Sequence, residues 1–101
     1  MQLGFFPSNS NLLCIKKESF NIYINATANS VIDKAITLTN DEIITKENVI
    51  VVPYGSSSGG VQCVVLQAYK SASNVLNVKL WNPSANAIAS SVRQGYMAYF
   101  F

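Results

Sequence analysis

Residues 75–83 read Val75-Leu76-Asn77-Val78-Lys79-Leu80-Trp81-Asn82-Pro83. Leu76, Val78 and Leu80 fall at every second position, Asn77 and Lys79 lie between them, and an Asn-Pro pair closes the run. Successive side chains of an extended chain point to opposite faces, so a period of two describes a half-buried strand, and Asn followed by Pro opens a turn. The same pattern recurs on the N-terminal side. Residues 20–25 set Phe20, Ile22 and Ile24 on one face against Asn21, Tyr23 and Asn25 on the other. Residues 31–39 group Ile32, Ile36 and Leu38, with Lys34 the exception on that side. Residues 12–16 and 61–69 are further runs, and residues 70–74 read as a turn. Residues 49–52 are continuously apolar and closed by Pro53, the pattern of a strand buried on both sides or packed in a sandwich core. No stretch keeps the 3.6-residue apolar spacing of a helix over three turns. At residues 40–48, Asn40 can cap a helical turn with Ile43 and Ile44 inward, and a connecting loop is the other reading.

Seven or eight strands with turn signals every 8–12 residues or so predict an all-β fold, a jelly-roll-like antiparallel β-sandwich. Residues 14–101 form that domain, and residues 1–13 are either an N-terminal arm or its first strand. The 101-residue length suits one domain, and a chain of this size buries roughly two-thirds of its extended surface, enough for a modest core.

Composition then removes whole classes of chemistry. Half of the residues are hydrophobic and 12% are charged, against the profile of a disordered chain. There is no histidine, so histidine triads, histidine metal sites and imidazole acid–base catalysis are excluded. The seven basic residues are dispersed and the net charge is only +2, which predicts no nucleic-acid partner. The longest apolar runs, residues 49–52 and 63–66, fall far short of the roughly 20 residues that cross a bilayer. The opening Met-Gln-Leu-Gly-Phe-Phe-Pro has neither a basic segment nor a long apolar one, so synthesis in a cytoplasm is expected. Cys14 and Cys63 lack Cys-x-x-Cys spacing and are expected to be free thiols packed as small hydrophobes.

The Gly/Ser segment at residues 55–60 lacks the Gly-Lys-Ser/Thr ending of a phosphate loop and reads as a flexible link. The carboxylates Glu18, Asp33, Asp41, Glu42 and Glu47 form neither a glycosidase pair nor a calcium loop by their spacing; Asp41-Glu42 reads as a solvated turn. No catalytic residue, metal or cofactor is expected, and hence no enzyme. Exposed Tyr54, Tyr69 and Trp81 would make a sugar-stacking platform, the mark of a carbohydrate- or receptor-binding module. The final stretch is the oddity: Tyr96, Ala98 and Phe100 occupy one face, while Met97, Tyr99 and Phe101 occupy the other. A strand apolar on both faces needs a second cover; self-association is expected to supply it, and a second layer within the same subunit is the other reading. Tyr96, Met97, Tyr99, Phe100 and Phe101 are therefore candidate interface residues. Leu3, Phe5 and Phe6 are candidate contacts of a docking arm ahead of the Pro7-Ser8-Asn9-Ser10-Asn11 hinge.

From Val31 onward the pieces come in a familiar order. Ala35-Ile36-Thr37-Leu38-Thr39 is followed by Asn48-Val49-Ile50-Val51-Val52-Pro53, then by the 75–85 strand and turn, then by Ala87-Ile88-Ala89 and a closing strand from Gly95-Tyr96. This order resembles the small β-sandwich module of bacteriophage virion proteins found in tail fibres, head fibres and capsid decorations, with its VVxVxP strand and VTVRLxNPTA strand-and-turn. Trp81 departs from it where a small residue is usual, and the first 30 residues have no counterpart. The resemblance implies a non-enzymatic structural component of the virion, made in the host cytoplasm. Its partners would be copies of itself, often as a homotrimer, and other capsid or tail proteins. A host-surface glycan is the partner in the alternative, receptor-binding reading.

Overall fold

The computed structural model describes residues 15–54 and 61–101. Among them run β1 (Lys16–Tyr23), β2 (Val31–Thr37), the single-turn helix α1 (Asp41–Ile44), β3 (Val49–Pro53), β4 (Val64–Ala72), β5 (Val75–Trp81) and β6 (Arg93–Phe100). They form two three-stranded sheets, ordered β1-β6-β3 and β2-β5-β4, with every pairing antiparallel. The fold is the expected all-β sandwich. Its strand order is jelly-roll-like, matching an eight-stranded jelly roll from which the fifth and sixth strands are removed.

Six strands, rather than seven or eight, are present among the described residues. Residues 16 and 20–23 belong to one continuous strand, because the intervening Lys17-Glu18-Ser19 pairs with Tyr99, Ala98 and Met97 of β6. Ala87-Ile88-Ala89 contributes only an isolated bridge between Ala26 and Ile88. Of the two readings of residues 49–52, packing in the sandwich core holds and burial on both sides does not. β3 lies at the edge of its sheet and pairs only with β6, so Val51 is buried while Ile50 is 52% exposed. A continuous apolar run has here become one core face and one open face. The 1–13 segment and the Gly/Ser link at 55–60 lie outside the described residues.

Alternation builds the core as the sequence predicts. Leu76, Val78 and Leu80 of β5 face Tyr96, Ala98 and Phe100 of β6, and all six are essentially fully buried. Ile22 and Ile24 extend this core beyond Gln94 at one end of β6, and Val51 of β3 joins it opposite Ala98. Two asparagines in the connection from β1 to β2, Asn25 and Asn29, take positive φ of 51° and 53°, a conformation asparagine tolerates better than most side chains. Asn82, at the end of β5, is wholly buried. Its amide donates to the carbonyls of Thr27 and Asn86, both at 3.0 Å, and its oxygen accepts from the Ser84 N–H at 3.0 Å. The Asn-Pro turn is thereby tied to the turn that precedes β2.

The helical reading of residues 40–44 holds. The Asn40 side chain accepts from the Glu42 N–H at 2.9 Å and Ile43 is buried. At the other end of α1 the Lys70 ammonium, reaching from β4, donates to the carbonyls of Ile43 (3.3 Å), Ile44 (2.9 Å) and Lys46 (2.6 Å). Carbonyls left open at a helix end are thus satisfied by a cation, the charge favoured there. Burial lowers the Lys70 pKa from its ordinary value, with nearby Glu47 opposing that shift.

Candidate functional site

β6 is the middle strand of its sheet, so the two faces of its side chains define the two faces of that sheet. Tyr96 and Phe100 point inward and have no exposed surface. Both were expected at an interface; they belong instead to the core, because their positions pair the inward parity of β1 and β3. Met97, Tyr99 and Phe101 remain on the outer face, half-buried between neighbouring strands. Across the ladder Tyr99 sits between Lys17 of β1 and Ile50 of β3, and Met97 sits between Ser19 and Val52. Ile50 is 52% exposed and Val52 37%. Phe101 extends the ladder, exchanging two backbone hydrogen bonds of 3.0 Å with Asn48. Ile15, one residue before β1, is exposed beside this end. At the opposite end the Arg93 guanidinium lies 5.8 Å from the centre of the Tyr23 ring, a cation–π contact across the β1–β6 pair.

Two backbones approach closely on this face at Gly95. A Cβ there would lie 2.5 Å from the Tyr54 carbonyl oxygen, while the Tyr54 N–H donates to the Gly95 carbonyl at 2.9 Å. Only glycine leaves room for the chain to leave β3 along this path.

Beneath the face, a buried polar network anchors β6. The Gln94 side-chain oxygen accepts from the Cys63 N–H at 2.9 Å and from the Tyr96 hydroxyl at 2.8 Å, and its amide donates to the Val61 carbonyl at 2.7 Å. Gln94 is wholly buried. Burial, and secondarily the Cys63 thiol, hold the Tyr96 phenol well above its ordinary pKa, and burial pushes the Cys63 thiol up. Cys63 is free, as expected; Cys14 lies outside the described residues. The network holds residues 61–63 against β6.

The other sheet presents a different outer surface. Its rows run Val31–Trp81–Val64, then Asp33–Lys79–Gln67, then Ala35–Asn77–Tyr69. The Lys79 ammonium lies 3.9 Å from Asp33, and the Trp81 indole N–H donates to the Asn29 side chain at 3.1 Å. The expected aromatic platform is not assembled. Tyr69 and Trp81 share this face but are two rows apart, with Lys79 between, and Tyr54 follows β3 on the opposite sheet. Leu3, Phe5 and Phe6 fall outside the described residues.

Gln94, Ile50 and Val52 escape the sequence reading. The unbroken run at 49–52 carried a usable signal for the last two, since aliphatics at every position put apolar side chains on both faces of the strand. Nothing in the sequence around Gln94 marks it as buried. Among the described residues no helix is long and apolar enough to cross a membrane. No protein-family model, curated protein or solved structure matches the chain.

Proposed function

We propose that this protein is a non-enzymatic structural component of a bacteriophage particle, a capsid or tail decoration or fibre subunit, that acts through assembly of its own copies. The observation that carries the assembly part is the outer face of β1-β6-β3, where Met97, Tyr99 and Phe101 lie beside the exposed Ile50 and Val52. The order of sequence pieces from Val31 onward and the jelly-roll-like strand order support the virion part. A rigid sandwich with a buried, hydrogen-bonded Gln94 and Asn82 suits a building block. The test is solution mass at micromolar concentration together with co-sedimentation with phage particles lacking the protein. Oligomers that bind particles are expected. A monomer that fails to bind them defeats the reading.

A second reading, a glycan- or receptor-binding module, draws on Trp81 lying between Val31 and Val64, both exposed. Its test is the fluorescence of this lone tryptophan during titration with host-surface glycans. An unchanged spectrum removes it.

A further inference from the structure

We infer that the partner of this chain is a second copy bound face to face, outer sheet β1-β6-β3 against outer sheet β1-β6-β3, giving a twofold stack of four sheets. The inference rests on the assembly reading and assigns its surface and symmetry. Area is the first argument. A half-exposed tyrosine or isoleucine leaves roughly 100 Å² open. Ile15, Ile50, Val52 and Tyr23, with Met97, Tyr99 and Phe101 between them, therefore present about 500–700 Å² of largely apolar surface, at or above the ~300–600 Å² of the largest patch on an ordinary monomer. A stable pair needs about 800 Å² from each partner, and the polar strip Lys17, Ser19 and Asn21 along β1 supplies the remainder as a rim.

Charge selects the occupant. The patch itself carries no carboxylate, and its cations, Lys17 and Arg93, stand near opposite ends of the β1–β6 pair. A nucleic acid or acidic protein would need a cationic track that this face lacks. The outer face of β2-β5-β4 also exposes Val31, Val64 and Tyr69, but it carries the Asp33–Lys79 pair in its second row. Pressing the β1-β6-β3 face onto it would desolvate that pair. Pressing it onto its own copy buries aliphatic and aromatic groups on both sides, the arrangement an isologous interface demands. The inner face of this same sheet already packs on a three-stranded sheet, and stacked sheets sit about 10 Å apart with interdigitating side chains. The outer face repeats the inner one in kind: an apolar residue at every position from Tyr96 through β6 to Phe101 makes this the middle layer of a stack.

Light scattering or sedimentation equilibrium on the full chain from micromolar to millimolar concentration is the test. A particle of two chains is expected. Ile50→Glu and Val52→Lys, both on exposed positions, should each weaken association by at least about 100-fold with unchanged circular dichroism. Val64→Glu, on the outer face of the other sheet, should leave the mass at two chains. A particle of three chains, or one dissolved by Val64→Glu and untouched by Ile50→Glu, overturns the stack while leaving assembly itself intact. A single chain at every concentration overturns both.

Discussion

The two sheets of this sandwich share an interior and differ outside. The central strand of one, β5, alternates strictly, with Leu76, Val78 and Leu80 inward and Asn77 and Lys79 outward. The central strand of the other, β6, also buries every second residue but keeps Met97 and Tyr99 on the side away from the core. The first outer face carries the Asp33–Lys79 ion pair among exposed Val31, Val64 and Tyr69. The second sets Met97 and Tyr99 beside exposed Ile50 and Val52 with no ion pair across its β6–β3 rows. An edge strand, β1, carries Lys16 and Glu18 at inward parity near the sandwich end, a device that discourages unwanted edge pairing.

The contrast between inward and outward positions is broken most violently by placing a charge on each. Leu80→Asp puts a carboxylate where there is no exposed surface and should cost about 4 kcal/mol or more, measured by urea unfolding or seen as insoluble protein. Ile50→Asp, at a position 52% exposed, should change monomer stability by less than about 1 kcal/mol. Equal damage from both would mean that the two faces are misassigned. The next effect is Gln94→Leu, which strips the acceptor from the Cys63 N–H, the donor from the Val61 carbonyl and the shorter of the Tyr96 hydroxyl's two acceptors, leaving it the Cys63 carbonyl at 3.4 Å. Leaving such groups unpaired in the interior should cost about 2–3 kcal/mol. A loss of only a few tenths would show that residues 61–63 detach from β6 without penalty.

These cases also separate what alternation makes legible from what it does not. The inward sets of β5 and β6, the half-buried strand at 20–25 and the Asn40 cap all follow from local periodicity or a local hydrogen bond. Gln94 sits at inward parity in β6 as Tyr96 does, but its burial depends on Cys63 and Val61, more than thirty residues away, supplying partners. Lys70 poses the same difficulty. As a lysine in a polar stretch it reads as part of a turn, whereas it closes β4 on the inner side because three carbonyls of the α1 region meet its ammonium. The open face of β3 is hidden for another reason. An aliphatic run alone cannot distinguish a strand covered by its own chain from one covered by a partner. The separation of Tyr69 from Trp81 is likewise a matter of register, invisible until β4 is paired with β5.

Alkaline pH probes the interior shared by the two faces. The folded-state pKa of the Tyr96 phenol lies above the value near 10 of an unfolded tyrosine. Below that pH both states hold the proton and stability is undiminished; above it the unfolded chain releases the proton first, so stability falls as pH rises. Cys63 shifts in the same direction and starts the decline from about pH 8.5. Tyr96→Phe should cost about 1 kcal/mol at neutral pH through the lost hydroxyl bond and should flatten the part of the decline above pH 10 or so. An unaltered alkaline slope in that variant would assign the decline to other groups.

The smallest effect belongs to the water-facing sheet. The Asp33 and Lys79 side chains are 71% and 40% exposed and meet at 3.9 Å, so solvent screens their attraction and each has other conformations to lose. Asp33→Asn should therefore shift stability by less than about 0.5 kcal/mol and leave the association state untouched. The second half of that expectation is the sharper one. If the ion pair faces bulk water in the assembled protein, neutralising one partner changes nothing that binding reads. If the face were instead covered by another chain, removing Asp33 would strand the Lys79 ammonium in a dry interface, and association would weaken by far more than stability does. A change in oligomer mass from Asp33→Asn would thus place the contact on the wrong sheet for the stack, even though the isolated chain would unfold much as before.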